Sequence, residues 1–214
     1  MTTPALYDRA RGAIAASGFD SDTQTRIALF VGTVKSLNAA LLAAAEFLPT
    51  TGTAYPFMHG QYFRESEFAT LLWRVTRWSA NPLIYWQSAG LAAPLWNEWW
   101  RIQGPIGTLL NAHAAYRGLA FGHALFARLR LAPVMPAAVD ELDPFVVGLR
   151  RIEQENGRMI QAQIRLLKEM PIEIPRAERE QMVDEEQQIV DAVFARFLAW
   201  LAGDPLNDSG GSPA

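Results

Sequence analysis

Apolar residues recur at helical spacing through most of this chain, and nowhere do Val, Ile and Thr alternate as a half-buried strand requires. Proline and glycine interrupt the pattern at intervals and act as punctuation. The periodicity therefore predicts an all-α fold, a single-domain bundle of six to eight helices. Half of the 214 residues are hydrophobic and 19% are charged, which excludes a disordered chain and leaves enough apolar material for a core without covalent staples.

The expected elements follow from the punctuation. A first helix covers about residues 4–16 and stops at Ser17-Gly18. A second begins after Asp20-Ser21-Asp22, where Ser21 and Gln24 have capping-box spacing, and extends toward Leu48. Its apolar stripe is Ile27, Phe30, Val34, Leu37, Leu41 and Leu48. After a loop at 49–60, a third helix near 65–79 carries Phe68, Leu71, Leu72, Val75 and Trp78. Pro82 and Pro94 are expected to bound two shorter helical pieces. The stretch from Pro105 to Leu131 reads as one helix with proline at its start. It is apolar on almost every side, so it is expected to be the buried central helix. Another helix runs from Asp143-Pro144 to about Met170, with Asn156 and Gln163 on its apolar stripe as amides that fix register or meet a ligand. The last spans about 176–202. Its acidic first half suits a helix N-terminus and its second half is apolar. Residues 1–203 then form one helical domain, and 204–214 read as a disordered tail.

Charge and cysteine content remove several functions. With 19 basic and 22 acidic residues there is no global basic field for nucleic acid or an anionic membrane. The chain has no cysteine, which removes disulfides, thiolate nucleophiles, cysteine–zinc sites and iron–sulfur clusters. The N-terminus lacks a secretory profile, and the uncharged run from Trp78 to Asn97 contains two prolines, a poor membrane span. A cytoplasmic protein is expected.

Six of the seven tryptophans fall between Trp73 and Trp100 (Trp73, Trp78, Trp86, Trp96, Trp99 and Trp100), where ordinary usage would place about three in the whole chain. Indoles supply stiff, largely apolar area with one donor each. Such a cluster suits core packing, a pocket for a bulky apolar ligand, or an interface with another chain. On the predicted central helix, His113, Tyr116 and His123 share a stripe, with Arg117 beside it. Polar groups on a buried helix must be paired, so they mark a satisfied core network or a site. His113 and His123 lie about 15 Å apart on a helix and cannot share a metal, and no H-E-x-x-H or E-x-x-H spacing occurs. No metal and no cofactor are expected. Trp86, Trp96, Trp99, Trp100, His113, Tyr116, Arg117 and His123 are the candidate ligand-lining residues. The leading reading is a non-catalytic helical protein that binds a bulky apolar or aromatic small molecule, or an apolar protein surface, with a homodimer allowed. A cofactor-free enzyme acting on an apolar substrate, with a histidine as base, is a further alternative.

The segment LYDRARGAIAASGFDSDTQTRIALFVG resembles the first two helices of the tetracycline-repressor-like (TetR) regulators. Leu6, Ala10, Ile14 and Ala15 match the first-helix core, Gly18-Phe19 its end, Thr23 the cap, Ile27-Ala28 the second helix and Gly32 the turn. The resemblance implies a ligand-responsive, dimeric DNA-binding regulator, with Lys35, Ser36 and Asn38 placed to touch DNA. It covers residues 6–32. The family's recognition-helix pattern is replaced by TVKSLNAALLAAAEFL, which continues the same apolar stripe through Gly32.

Overall fold

The computed structural model describes residues 21–45, 82–103, 112–128 and 173–206, with isolated positions at 5, 8, 9, 12, 66, 147, 150, 154, 157, 158, 161, 164 and 165. The described residues are overwhelmingly helical and include no strand. Four long helices result: α1 (Ser21–Ala45), α2 (Pro82–Gln103), α3 (Ala112–Arg128) and α4 (Arg176–Leu201). Each touches the other three, and α3 lies closest against α4. The expected helices at 4–16, 65–79 and 143–170, the loop at 49–60, Trp73, Trp78, Asn156 and Gln163 lie outside the described residues, as does the tail beyond Leu206.

Cross-helix pairs fix the directions. His113 meets Glu178, Arg117 meets Glu186 and Arg128 meets Asp191, so α3 and α4 run parallel. Gln87 meets Trp200 while Arg101 meets Glu186, so α2 is antiparallel to α4. Arg26 reaches the Trp200 carbonyl and Phe30 stacks on Phe197, so α1 is antiparallel to α4 as well.

The core is built where apolar stripes face one another. Phe30 and Phe197, both fully buried, stack at 3.9 Å with rings nearly parallel, and Phe194 tilts against both. Six successive residues of α1, Ile27 to Gly32, are buried. That exceeds one turn, so the helix is enclosed on all sides there. The predicted central helix behaves likewise, since Gly118 to Gly122 are all buried.

Two expectations change, and a third is described only in part. Pro94 does not divide α2, which continues from Pro82 to Gln103. The residue whose carbonyl it deprives of a donor is Gly90, which is exposed and open to water, so the missing helix bond is tolerable there. Of the helix expected from Pro105 to Leu131, Ala112–Arg128 is helical as expected, and residues 105–111 and 129–131 lie outside the described residues. And α1 passes through Gly32 without the turn that a helix-turn-helix needs. Lys35, expected to reach DNA under that reading, is fully buried with its ammonium 4.2 Å from the centre of the Phe126 ring.

The last helix stops by an identifiable device. Gly203 takes φ +88, its N–H donates to the Trp200 carbonyl and the Asp204 N–H donates to that of Ala199. This Schellman pairing satisfies the orphan carbonyls. No described helix is long and apolar enough to cross a membrane.

Candidate functional site

Helix α2 is apolar all round, yet only one side of it is covered. Ile84, Ser88, Leu91, Leu95, Glu98 and Ile102 are buried. On the opposite side, Trp86, Ala89, Gly90, Ala93, Asn97 and Trp100 are exposed. At 100° per residue these six fall within about 100° of one another, so they form one continuous face. Trp86 is 70% and Trp100 62% exposed. The two indoles stand about 21 Å apart, with small residues between them. No Asp, Glu or Lys lies on this face, and Arg101 borders it.

The other two candidate indoles of α2 serve the core. Trp96 and Trp99 are partly buried against it, edge to face with one another at 6.0 Å, and Trp99 meets Trp100 the same way at 4.5 Å. The Trp99 Nε1 is buried without an acceptor.

On the inner side of α2 lies a cluster that the sequence did not single out. Glu98 is 5% and Glu186 0% exposed. Arg101 donates from Nε to Glu98 at 2.7 Å and also reaches Glu186 at 3.1 Å. Arg117, from α3, donates to Glu186 at 2.9 Å and to Glu185 at 2.7 Å. Three helices thus converge on two arginines and three carboxyl groups. Two positive charges balance two negative ones, so the third carboxyl is stable only when neutral. Glu186 is that group. Burial, and next the charge and hydrogen bond of Glu98, push it up to about 8. Its Oε1 accepts from both arginines, while its Oε2 is buried with no donor. A proton on Oε2, shared with Glu98, completes the set. Glu185 is held below the usual carboxylate range by the Arg117 and Gln181 hydrogen bonds.

Of the candidate polar residues of α3, His113, Tyr116 and Arg117 meet residues of α4. His113, expected in the core, is instead half exposed, with Nε2 3.2 Å from Glu178. Tyr116 is buried with Ile174 and Met182. It also borders an open groove of about 470 Å³ whose other described lining residues are Arg176, Arg179, Glu180, Val183 and Asp184, with no tryptophan among the described residues that line it. His123 is half-buried, its Nδ1 has no partner and burial lowers its pKa. Among the described residues no group of His, Asp and Glu is placed to hold a metal ion.

A signal for the missed pair was present. Glu98 falls on the stripe Leu91, Leu95, Ile102, and Glu186 on the stripe Met182, Val190, Val193, Phe197. A carboxylate on a core stripe must find a partner or a proton. Comparison of the chain with protein-family models, with curated proteins and with solved structures finds no match.

Proposed function

We propose that this chain is a non-catalytic binding protein that engages an apolar protein surface through the outer face of α2. The observation that carries this reading is the exposure of Trp86 and Trp100 at the two ends of an uncharged helix face. Large indoles are costly to leave in water, and contiguous apolar faces on a folded protein mark contacts with other surfaces. The face is convex. A small apolar ligand needs a concave site that covers most of its surface, whereas a convex helix face fits a groove or a second helix. Small residues between the indoles let another backbone approach.

A benzoyl-phenylalanine photo-crosslinker at Ala93, in cells expressing the chain, tests the reading. A discrete adduct that disappears when Trp86 and Trp100 are both changed to Ser supports it. No adduct, or one indifferent to those changes, overturns it.

A further inference from the structure

We infer that the occupant of the α2 outer face is a second copy of this chain, packed antiparallel about a two-fold axis at Ala93; this rests on the binding role proposed for that face. The face is symmetric about its own midpoint. Trp86 lies seven residues before Ala93 and Trp100 seven after it. Seven residues are close to two turns, so the three share one line along the helix. A two-fold axis at Ala93 sets Trp86 against the partner's Trp100, and Trp100 against the partner's Trp86. Such self-complementarity is what a two-fold dimer requires of a single patch.

A polar requirement is met by the same arrangement. Pro94 has no N–H, so the exposed Gly90 carbonyl lacks its helix donor. The partner's Asn97 falls opposite Ala89, one residue away, and its side-chain amide donates to that carbonyl. The axis makes this bond twice.

The arrangement also keeps like charges apart. Arg101, 52% exposed at the edge of the face, stands about 24 Å along the axis from the partner's Arg101, beyond the range of their repulsion at physiological salt.

The area sets the strength. The two indoles offer roughly 300 Å² per copy, and the residues between and beside them roughly 200 Å² more. Two copies then bury about 1,000 Å², at the lower limit for a specific interface. The dimer is therefore reversible and concentration-dependent.

Because the chain has no cysteine, one introduced thiol is unique. The purified chain is sedimented from about 1 to 300 μM, a range that brackets weak association. Single-cysteine variants are treated with a bis-maleimide spanning about 8 Å, close to a helix–helix separation. The expected result is a monomer–dimer equilibrium that Trp100→Asp abolishes while helicity by circular dichroism is kept. Ala93→Cys should cross-link to itself, Asn97→Cys alone should not, and a mixture of Ala89→Cys with Asn97→Cys should. A monomer throughout the range, or Asn97→Cys cross-linking as readily as Ala93→Cys, overturns the proposal. If the chain stays monomeric while the cellular cross-linker at Ala93 captures a different protein, the face keeps its binding role and only the identity of its occupant fails.

Discussion

Replacing Glu186 by Gln should stabilise this protein far more at pH 8 than at pH 5. In the folded chain Glu186 titrates at about 8, against 4.5 for an ordinary glutamate. Its folded-state value is raised, so the stability it contributes is fully present below pH 4.5 and lost as pH rises through 8. Between those limits the folded state holds a proton that the unfolded chain releases. Stability falls by up to about 1.4 kcal/mol per pH unit, on the order of 5 kcal/mol across the window. That is comparable with the whole stability of many domains, roughly 5–15 kcal/mol. Glutamine reproduces the protonated side chain: its oxygen can accept from Arg101 and Arg117, and its NH2 can donate toward Glu98 as the carboxyl proton did. It has nothing to lose as pH rises.

The assay is urea unfolding of both proteins from pH 5 to 8.5, followed by circular dichroism. The advantage of Glu186→Gln should grow from about 1 kcal/mol at pH 5 to about 3 kcal/mol at pH 7 and more at pH 8. Using the difference between the proteins removes the pH dependence of every other group. An advantage constant with pH, or a variant less stable than the parent at pH 8, would refute a neutral Glu186.

Three further outcomes follow from the packing. Phe197→Ala should cost about 3–5 kcal/mol in urea unfolding, because the ring is fully buried and stacked on Phe30, and a cost under 1 kcal/mol would contradict that stack. The chain has two lysines, Lys35 and Lys168, and Lys35 is fully buried. A water-soluble acylating reagent read by mass spectrometry should therefore modify Lys35 only on unfolding, and rapid labelling of the folded protein would show the ammonium exposed. Gly203→Ala should destabilise by about 1 kcal/mol: φ is +88 there and no atom crowds the new methyl, so the cost is purely conformational, and a neutral result would argue against the Schellman end.

The helices were legible because apolar periodicity and capping residues are local. Ser21 to Ala45 and Arg176 to Leu201 fall within a few residues of their expected limits. Pro94 misled because a proline signals a break only if the carbonyl it strands cannot be solvated, and Gly90 stands at the surface. His113 misled for the opposite reason. It shares a stripe with Tyr116, but that stripe reaches the edge of α3, where Glu178 of α4 meets the imidazole. Glu186 went unread because the acidic first half of its helix has a ready local explanation in the helix dipole. Only the position of Glu186 on a core stripe argued against it. The tryptophan count signalled a feature but not its location, since a helix apolar on all sides does not declare which side is covered.

That ambiguity is physical as well as inferential. The inner side of α2 offers Ile84, Leu91, Leu95 and Ile102, and the outer side offers Trp86, Ala93 and Trp100. By hydrophobic burial alone either side could face the core. Glu98 and Arg101 break the tie, because only the observed rotation brings them to Glu186 and Arg117. Buried charge adds little net stability against well-packed apolar residues, and its best-attested use is to select one register among several. Here it would hold α2 with its tryptophans outward. The double change Glu98→Leu, Arg101→Leu makes the inner side wholly apolar, while Arg117 keeps Glu185 and Glu186. Helicity should be retained and orientation lost. The exposed indoles would then be quenched less by iodide, and indole N–H resonances would outnumber the seven tryptophans. Seven sharp resonances with unchanged quenching would mean that apolar packing alone sets the rotation of α2, and that the charges are passengers in it.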